Sequence, residues 1–291
     1  MKNSLTLIIL SILLVAVSCK KKAKRLVDNP QFGEITMSAD ESFKSVAEAL
    51  TDRYMALNPE TKINLVIKKE DLGFLDLLEG KVRVIMMSRD LSEQERDAYK
   101  KKIDMDPLPA KFAADAVVFV VPKNADRTSI SLEELKAELQ SENKRIIFDG
   151  TNSSNLNFVA QKLGTAPAKL KFSVISGNKN VVQQLNQHPD KIGVISLNTI
   201  SRPYDKASEE LRNSIKILSV SDSKGSFEPS IPNLRNMSYP FTRVLYFLTN
   251  EAYYGLGNGL IRFSCMQLGQ IVVAKEGLQP YNIFEREVQM K

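Results

Sequence analysis

The stretch Gly33–Met55, GEITMSADESFKSVAEALTDRYM, decides the fold. Its opening residues, Gly33 to Ser38, alternate in the manner of a short strand. Small and polar residues follow, and then a helix with Phe43, Val46, Ala47, Leu50, Tyr54 and Leu57 on one face. Asn58-Pro59 stops that helix. The turn between strand and helix lies at the carboxyl end of one element and the amino end of the next. Ligands of open α/β sheets bind at such turns, and the free N–H groups of a helix start favour anions. The same strand-turn-helix pattern returns around Ser88 and around Thr151 to Ser154. The chain therefore reads as a scaffold that brings three polar turns to one cleft.

Working outward, strand and helix signals alternate along most of the chain. Lys62 to Ile67 reads as a strand, and Leu72, Leu75 and Leu78 as one face of a short helix closed by Gly80. Val82 to Met87 is a nearly continuous apolar strand, the pattern of a sheet covered on both faces. Ser92 and Glu95 form a capping box, and Ser131 with Glu134 opens a further helix. Ala113 to Val121 is a long apolar strand ended by Pro122, suited to crossing from one lobe to another. Arg145 to Phe148 and Leu170 to Ile175 read as strands, each followed by a polar turn and a helix, and Ile192 to Ile195 as one more strand. Residues 201–238 read as irregular apart from Ile215 to Val220. Thr242 to Leu248 is an apolar strand, and Gly259 to Ala274 a helix. Such alternation implies βαβ units and a mostly parallel sheet.

Composition narrows the function classes. With 291 residues, 43% hydrophobic and 25% charged, the chain can bury a sizeable core. The net charge of +6 is local. Lys2, Lys20, Lys21, Lys22, Lys24 and Arg25 account for all of it, so residues 26–291 are formally neutral. A neutral body argues against a phosphate-backbone footprint, and no nucleic-acid partner is expected. The apolar run Leu5 to Val17 is thirteen residues long, short for a membrane span and right for a signal-peptide core. Ala16-Val17-Ser18-Cys19 follows it and resembles a bacterial lipobox, in which the cysteine is lipidated and becomes the mature N-terminus. Residues 1–18 are thus expected to be a signal peptide and 19–32 a lipidated basic tether beside anionic lipid. Cys265 is left without a partner and reads as a buried small hydrophobe. The single His188 precedes Pro189 in a polar loop, so a usual zinc site and a Ser-His-Asp triad both lack their parts. No GxSxG, Walker, HExxH or GxGxxG motif is present. No catalytic residues, metal or cofactor are expected, which favours a binding protein over an enzyme.

The polar turns carry the positive signal. A small oxyanion in a dry cleft needs many donors: helix-start N–H groups, hydroxyls and a guanidinium. Ser38, Asp40 and Ser42 mark the first turn, Ser88 and Arg89 the second, and Asn152, Ser153 and Ser154 the third. Each Ser, Asn or Asp would also serve as an ordinary helix cap.

Taken together, ITMSADESFKSVAEAL (35–50), LLEGKVRVIMMSRDLSEQE (77–95), DAVVFVVPKNAD (115–126), ISLEELKAEL (130–139), YPFTRVLYFLTN (239–250) and GQIVVAKEGLQPY (269–281) resemble, in order and spacing, the phosphate-binding lipoproteins of ABC importers, of the type 2 periplasmic binding-protein superfamily. The resemblance implies an α/β, two-lobed fold with a ligand cleft between the lobes. Lobe 1 would comprise residues 33–115 and 240–291, and lobe 2 residues 116–239, with a hinge near Ala113 and Thr242. It also implies phosphate or another small oxyanion as ligand, an ABC permease as partner, and a place in the cell envelope outside the cytoplasm. Two departures stand out. The first turn offers Ala39, Asp40, Glu41 and Ser42 where the family has hydroxyl-rich turns. Either an acid here accepts a proton from a monohydrogen oxyanion, or Asp40 caps the helix and Glu41 points to solvent. In the third turn Phe148 stands near the place of an expected basic residue, for which Arg145 or Arg89 is a substitute. The alternative function is an envelope or interaction protein that kept the fold and lost the ligand.

Overall fold

The computed structural model describes residues 28–283. The signal-peptide and lipobox readings, with Cys19, lie outside the described residues.

Strand β1 (Gly33–Ala39) leads through a 3-10 turn (Glu41–Phe43) into helix α1 (Lys44–Leu57), as the opening stretch predicts. There follow β2 (Thr61–Ile67), α2 (Glu70–Leu78), β3 (Val84–Met87) and α3 (Glu93–Ile103). The capping box of α3 forms with both halves present, between Ser92 and Glu95. Strand β4 (Ala110–Pro122) is thirteen residues long and buried from Phe112 onward. Next come β5 (Ser129–Ser131), α4 (Leu132–Glu138), β6 (Ile146–Phe148), α5 (Ser154–Lys162), β7 (Ser173–Val174), α6 (Asn178–Gln184) and β8 (Ile192–Ser196). The remainder is α7 (Lys206–Ser214), β9 (Ile215–Ile217), β10 (Ser219–Asp222), β11 (Gly225–Phe227), α8 (Ile231–Arg235), β12 (Thr242–Thr249), α9 (Leu256–Cys265), α10 (Gln267–Lys275) and β13 (Gln279–Pro280).

The main sheet runs β2-β1-β3-β12-β4-β8-β6-β7. Residues 110–116 of β4 pair with β12, and residues 117–122 pair with β8 and β9. One strand thus belongs to both halves of the sheet. Three apolar clusters follow from this. One gathers Met37, Phe43, Leu50 and Phe247, a smaller one Phe74, Leu77 and Tyr99, and the third Phe119, Phe148, Val159 and Val194. Every residue of β3 is buried, as expected of a strand covered on both faces.

Four expectations need correction. The sheet is mixed rather than mostly parallel. The β1 and β6 pairings are parallel, but β4 and β12 run antiparallel to their neighbours, because these two strands carry the chain out and back. The segment 201–238 is not irregular: it holds α7, a β10-β11 hairpin and α8. Asp205 caps α7 through the Ser208 amide, a start signal masked by the polar composition around it. The helix expected over Gly259 to Ala274 is two helices broken at Met266, whose backbone is extended. Gly269 permits the break, since a Cβ there would come within 2.3 Å of the Phe263 carbonyl. Cys265 is half-buried, not buried, and its thiol pKa is pushed up to about 11 by desolvation.

The amino end of the described chain is pinned. Asp28 pairs with Arg83 at 2.9 Å and accepts from the Leu256 amide at 2.8 Å. Glu251 accepts from Gly257 and Asn258, both at 2.9 Å, and so stands in for the side-chain cap that Gly255 cannot supply to α9.

Candidate functional site

Three backbone turns converge on a single carboxylate, that of Asp40. The residue follows β1 directly and is wholly buried. Its Oδ1 accepts from the Ser42 amide at 3.0 Å, within its own turn. Its Oδ2 accepts from the Glu70 amide at 3.0 Å and the Ser154 amide at 3.3 Å. Glu70 is the first residue of α2 and Ser154 the first of α5, so two other helix starts point their free donors at the same oxygen.

Around this cradle stand buried groups with no hydrogen-bond partner among the described residues: Ser38 Oγ, Ser154 Oγ and Arg243 Nη1. Buried polar atoms are nearly always paired, so three together single this cluster out as the candidate site. Glu70 belongs to the same cluster. Its Oε1 accepts from the Ser88 amide at 2.6 Å and from the Ser88 hydroxyl at 2.9 Å. Its Oε2 makes no hydrogen bond and faces Arg89 Nε at 3.4 Å. Burial raises the Glu70 pKa to about 7; Arg89 opposes the rise and Asp40 adds to it.

A polar chain supports the cradle from behind. Arg243, the one charge in β12, donates through Nε at 2.9 Å and Nη2 at 2.7 Å to Asp115 of β4. Both side chains are fully buried. The guanidinium also lies 4.7 Å from the centre of the Phe43 ring. Asp115 accepts further from the Ser196 hydroxyl and the Asn198 amide. Asn178 accepts from the Ser196 amide at 2.9 Å and donates at 3.2 Å to Asp149, which is paired with Lys69 at 3.1 Å. Burial and the charge of Asp40 raise the Asp149 carboxyl. Burial works against the charge of Lys69, but Asp149 and Asp40 outweigh it and raise the ammonium.

The predicted site residues divide accordingly. Ser38, Asp40, Ser42, Ser88 and Ser154 meet in the cluster, with Ser42 Oγ accepting from Asn178 at 3.2 Å. Ser153 is buried beside them but acts as the cap of α5, its Oγ accepting from the Leu156 amide at 3.4 Å. Asn152 is exposed and stands apart from the cluster. Arg89 is committed to Glu95 at 2.7 Å and Asp71 at 2.8 Å, so its donors are largely used internally. Arg145 is exposed and pairs with Glu138. Asp40 does cap its own turn, and Glu41 is half-buried, with its carboxylate beside Gly177, where a Cβ would meet it at 2.9 Å. Sequence reasoning missed Glu70 and Arg243. A lone Arg within YPFTRVLYFL was the available signal, because such a charge is rarely buried without a task.

A cleft of ≈520 Å³ opens beside the cluster and reaches Ser88 and Arg243. Arg89, Arg96, Lys111, Lys162 and Arg243 line it, against the single acid Asp90. Between α5 and the elements facing it, Asn157 donates to Asp71 of α2 at 2.9 Å, and Gln161 exchanges two 3.1 Å hydrogen bonds with Asp90. Among the described residues, no group of three His, Cys, Asp or Glu could hold a metal ion, and no helix is long and apolar enough to cross a membrane.

These features are those of an α/β fold with a cleft beside three converging turns. Residues 27–266 match the family described as the PBP superfamily domain, and the chain belongs to that superfamily of periplasmic binding proteins. It is 22% identical to the phosphate-binding protein PstS of Borreliella burgdorferi, over 95% of this chain and 98% of that one. Among solved structures, a substrate-binding protein with bound phosphate from Clostridium perfringens superposes with a TM-score of 0.70 at 20% identity, covering 86% of this chain and 100% of that one. An ABC-type phosphate transport receptor from Vibrio cholerae gives 0.65 at 17% identity, covering 84% and 99%. The fold is the two-lobed architecture implied by the sequence.

Proposed function

We propose that this chain is the solute-binding component of an ABC importer, that its cleft takes phosphate or a related small oxyanion, and that lipid on Cys19 holds it to the outer side of a bacterial membrane. Lobe 1 is then residues 33–115 and 240–291, lobe 2 residues 116–239, and the hinge the crossing strands β4 and β12. The observation that carries the reading is the convergence of the Ser42, Glu70 and Ser154 amides on one anionic group. Helix starts arranged in this way bind anions. The unpartnered Ser38 and Ser154 hydroxyls and the Arg243 guanidinium add donors at the same place. The phosphate-binding protein and the phosphate transport receptors among its relatives support the choice of ligand.

Titration calorimetry and thermal melting of the full chain with inorganic phosphate, sulfate and arsenate test the ligand. Phosphate should raise the melting temperature saturably. Ser154→Ala removes a buried hydroxyl without a partner, so it should leave the solute-free melt unchanged and weaken binding about tenfold, the effect of one hydrogen bond to a charged group. A chain that ignores every oxyanion at tens of millimolar, in wild type and in cleft variants alike, refutes the reading. For the anchor, the chain expressed in a bacterium should partition into detergent and lose this behaviour on Cys19→Ser. Partitioning that survives the substitution removes the lipid claim.

A further inference from the structure

We infer that Asp40 is a resident anion: its carboxylate occupies the oxyanion position of the cleft, and an external oxyanion enters by displacing this side chain. The inference rests on the receptor reading above.

An ordinary capping carboxylate serves the helix it precedes. Asp40 does so through the Ser42 amide. Its other oxygen serves helices that begin 30 and 114 residues further along the chain, at Glu70 and Ser154. Both helices are nine residues long, so each presents a full set of free N–H groups. Taking one donor from each of three helix starts is how a free anion is held. Here the anion is covalently part of the chain.

The donor count exceeds what a carboxylate uses. Ser38 Oγ, Ser154 Oγ and Arg243 Nη1 belong to the elements that build the site, are at least 98% buried with their residues, and have no partner among the described residues. A planar two-oxygen group held by three amides does not reach them. A tetrahedral four-oxygen anion of the phosphate type offers acceptors in more directions. The cluster is therefore built for a larger anion than the one that fills it.

Charge favours displacement over addition. Glu70 places a second carboxyl beside the cradle, and Arg89 and Arg243 are already paired with Glu95, Asp71 and Asp115. An oxyanion bound next to Asp40 would meet a surplus of negative charge in a dry site. An oxyanion bound in place of Asp40 meets the three amides, the two hydroxyls and the free Arg243 donor. The Asp40 side chain must then turn out toward the cleft.

The test compares wild type, Asp40→Gly and Asp40→Asn as full chains, by calorimetry with inorganic phosphate at one pH and by melting with and without phosphate. Asp40→Gly vacates three amides, so phosphate should bind at least about a hundredfold more tightly than to wild type. Without phosphate this variant should melt below wild type, and saturating phosphate should restore it. Asp40→Asn keeps the shape and loses the charge, and should tighten binding about tenfold. If wild type takes phosphate and Asp40→Gly, folded by circular dichroism, takes it no more tightly, the resident-anion inference falls while the receptor reading stands. Where Asp40→Gly does not fold, Asp40→Asn decides by the same criterion. If wild type and both variants ignore phosphate, sulfate and arsenate, the receptor reading falls and takes this inference with it.

Discussion

Glu70 shows how one buried acid sets the pH response of the site. Burial moves its carboxyl from 4.5 to about 7. Between those values the folded chain binds a proton that the unfolded chain releases. Stability from this group is therefore complete below pH 4.5, falls as pH rises, and is gone above about 7. The size is on the order of 3 kcal/mol. Burial also raises Glu41 and Asp149, so both act in the same direction. Glu70→Gln should flatten the fall in melting temperature between pH 5 and 7 while Ser88 keeps an acceptor. A variant with the wild-type slope would assign the whole effect to Asp149 and Glu41. At this scale the sequence was half legible. Ser38, Ser42 and Ser154 were visible as hydroxyls in or beside polar turns. Arg243 and Asp115 were hidden as single charges in strands read by their apolar majority. Glu70 sat in Lys68-Lys69-Glu70-Asp71, a run that reads as solvated surface until the fold buries its third member.

Among the elements, those with strong local signals came out where their patterns place them. The capping box at Ser92 and Glu95, the cap at Ser131 and the apolar run through β4 specify their structures with few competing choices. Elements decided by distant contacts did not. β7 shrinks to Ser173–Val174, although Leu170 to Ile175 has a strand pattern, because β6 gives it a partner for two residues only. α9 and α10 form one apolar run in sequence. They separate because the backbones meet at Gly269, a contact no periodicity reports. The antiparallel course of β12 likewise depends on the chain returning from 116–239, which is a property of the path and not of the strand.

The molecule as a whole is held at its seam by polar contacts between apolar clusters. Lys69 bridges to the side chain of Asp149 at 3.1 Å and to its carbonyl at 3.0 Å. Asn157 and Asp71, Gln161 and Asp90, and Asn178 and Ser42 add to it. Removing the cation should loosen these contacts. Lys69→Met is expected to increase the radius of gyration of the solute-free chain in small-angle scattering, with its circular dichroism unchanged. An unchanged radius would mean that the remaining amide contacts suffice to hold the seam. The same contacts explain why the sequence showed the fold better than the site. Lobes are built by local apolar patterns, whereas the seam joins residues from Asp40 to Asn198 that share no local pattern.

The Asp40 side chain competes with solute from inside the pocket. A tethered group acts at an effective concentration of at least about a millimolar, whatever the medium contains. A solute present at micromolar levels must therefore favour the cradle about a thousandfold more than the carboxylate does before it occupies half the molecules. One aspartate can thus set the supply at which such a receptor begins to load, and a single substitution at residue 40 would retune that threshold without moving any other donor.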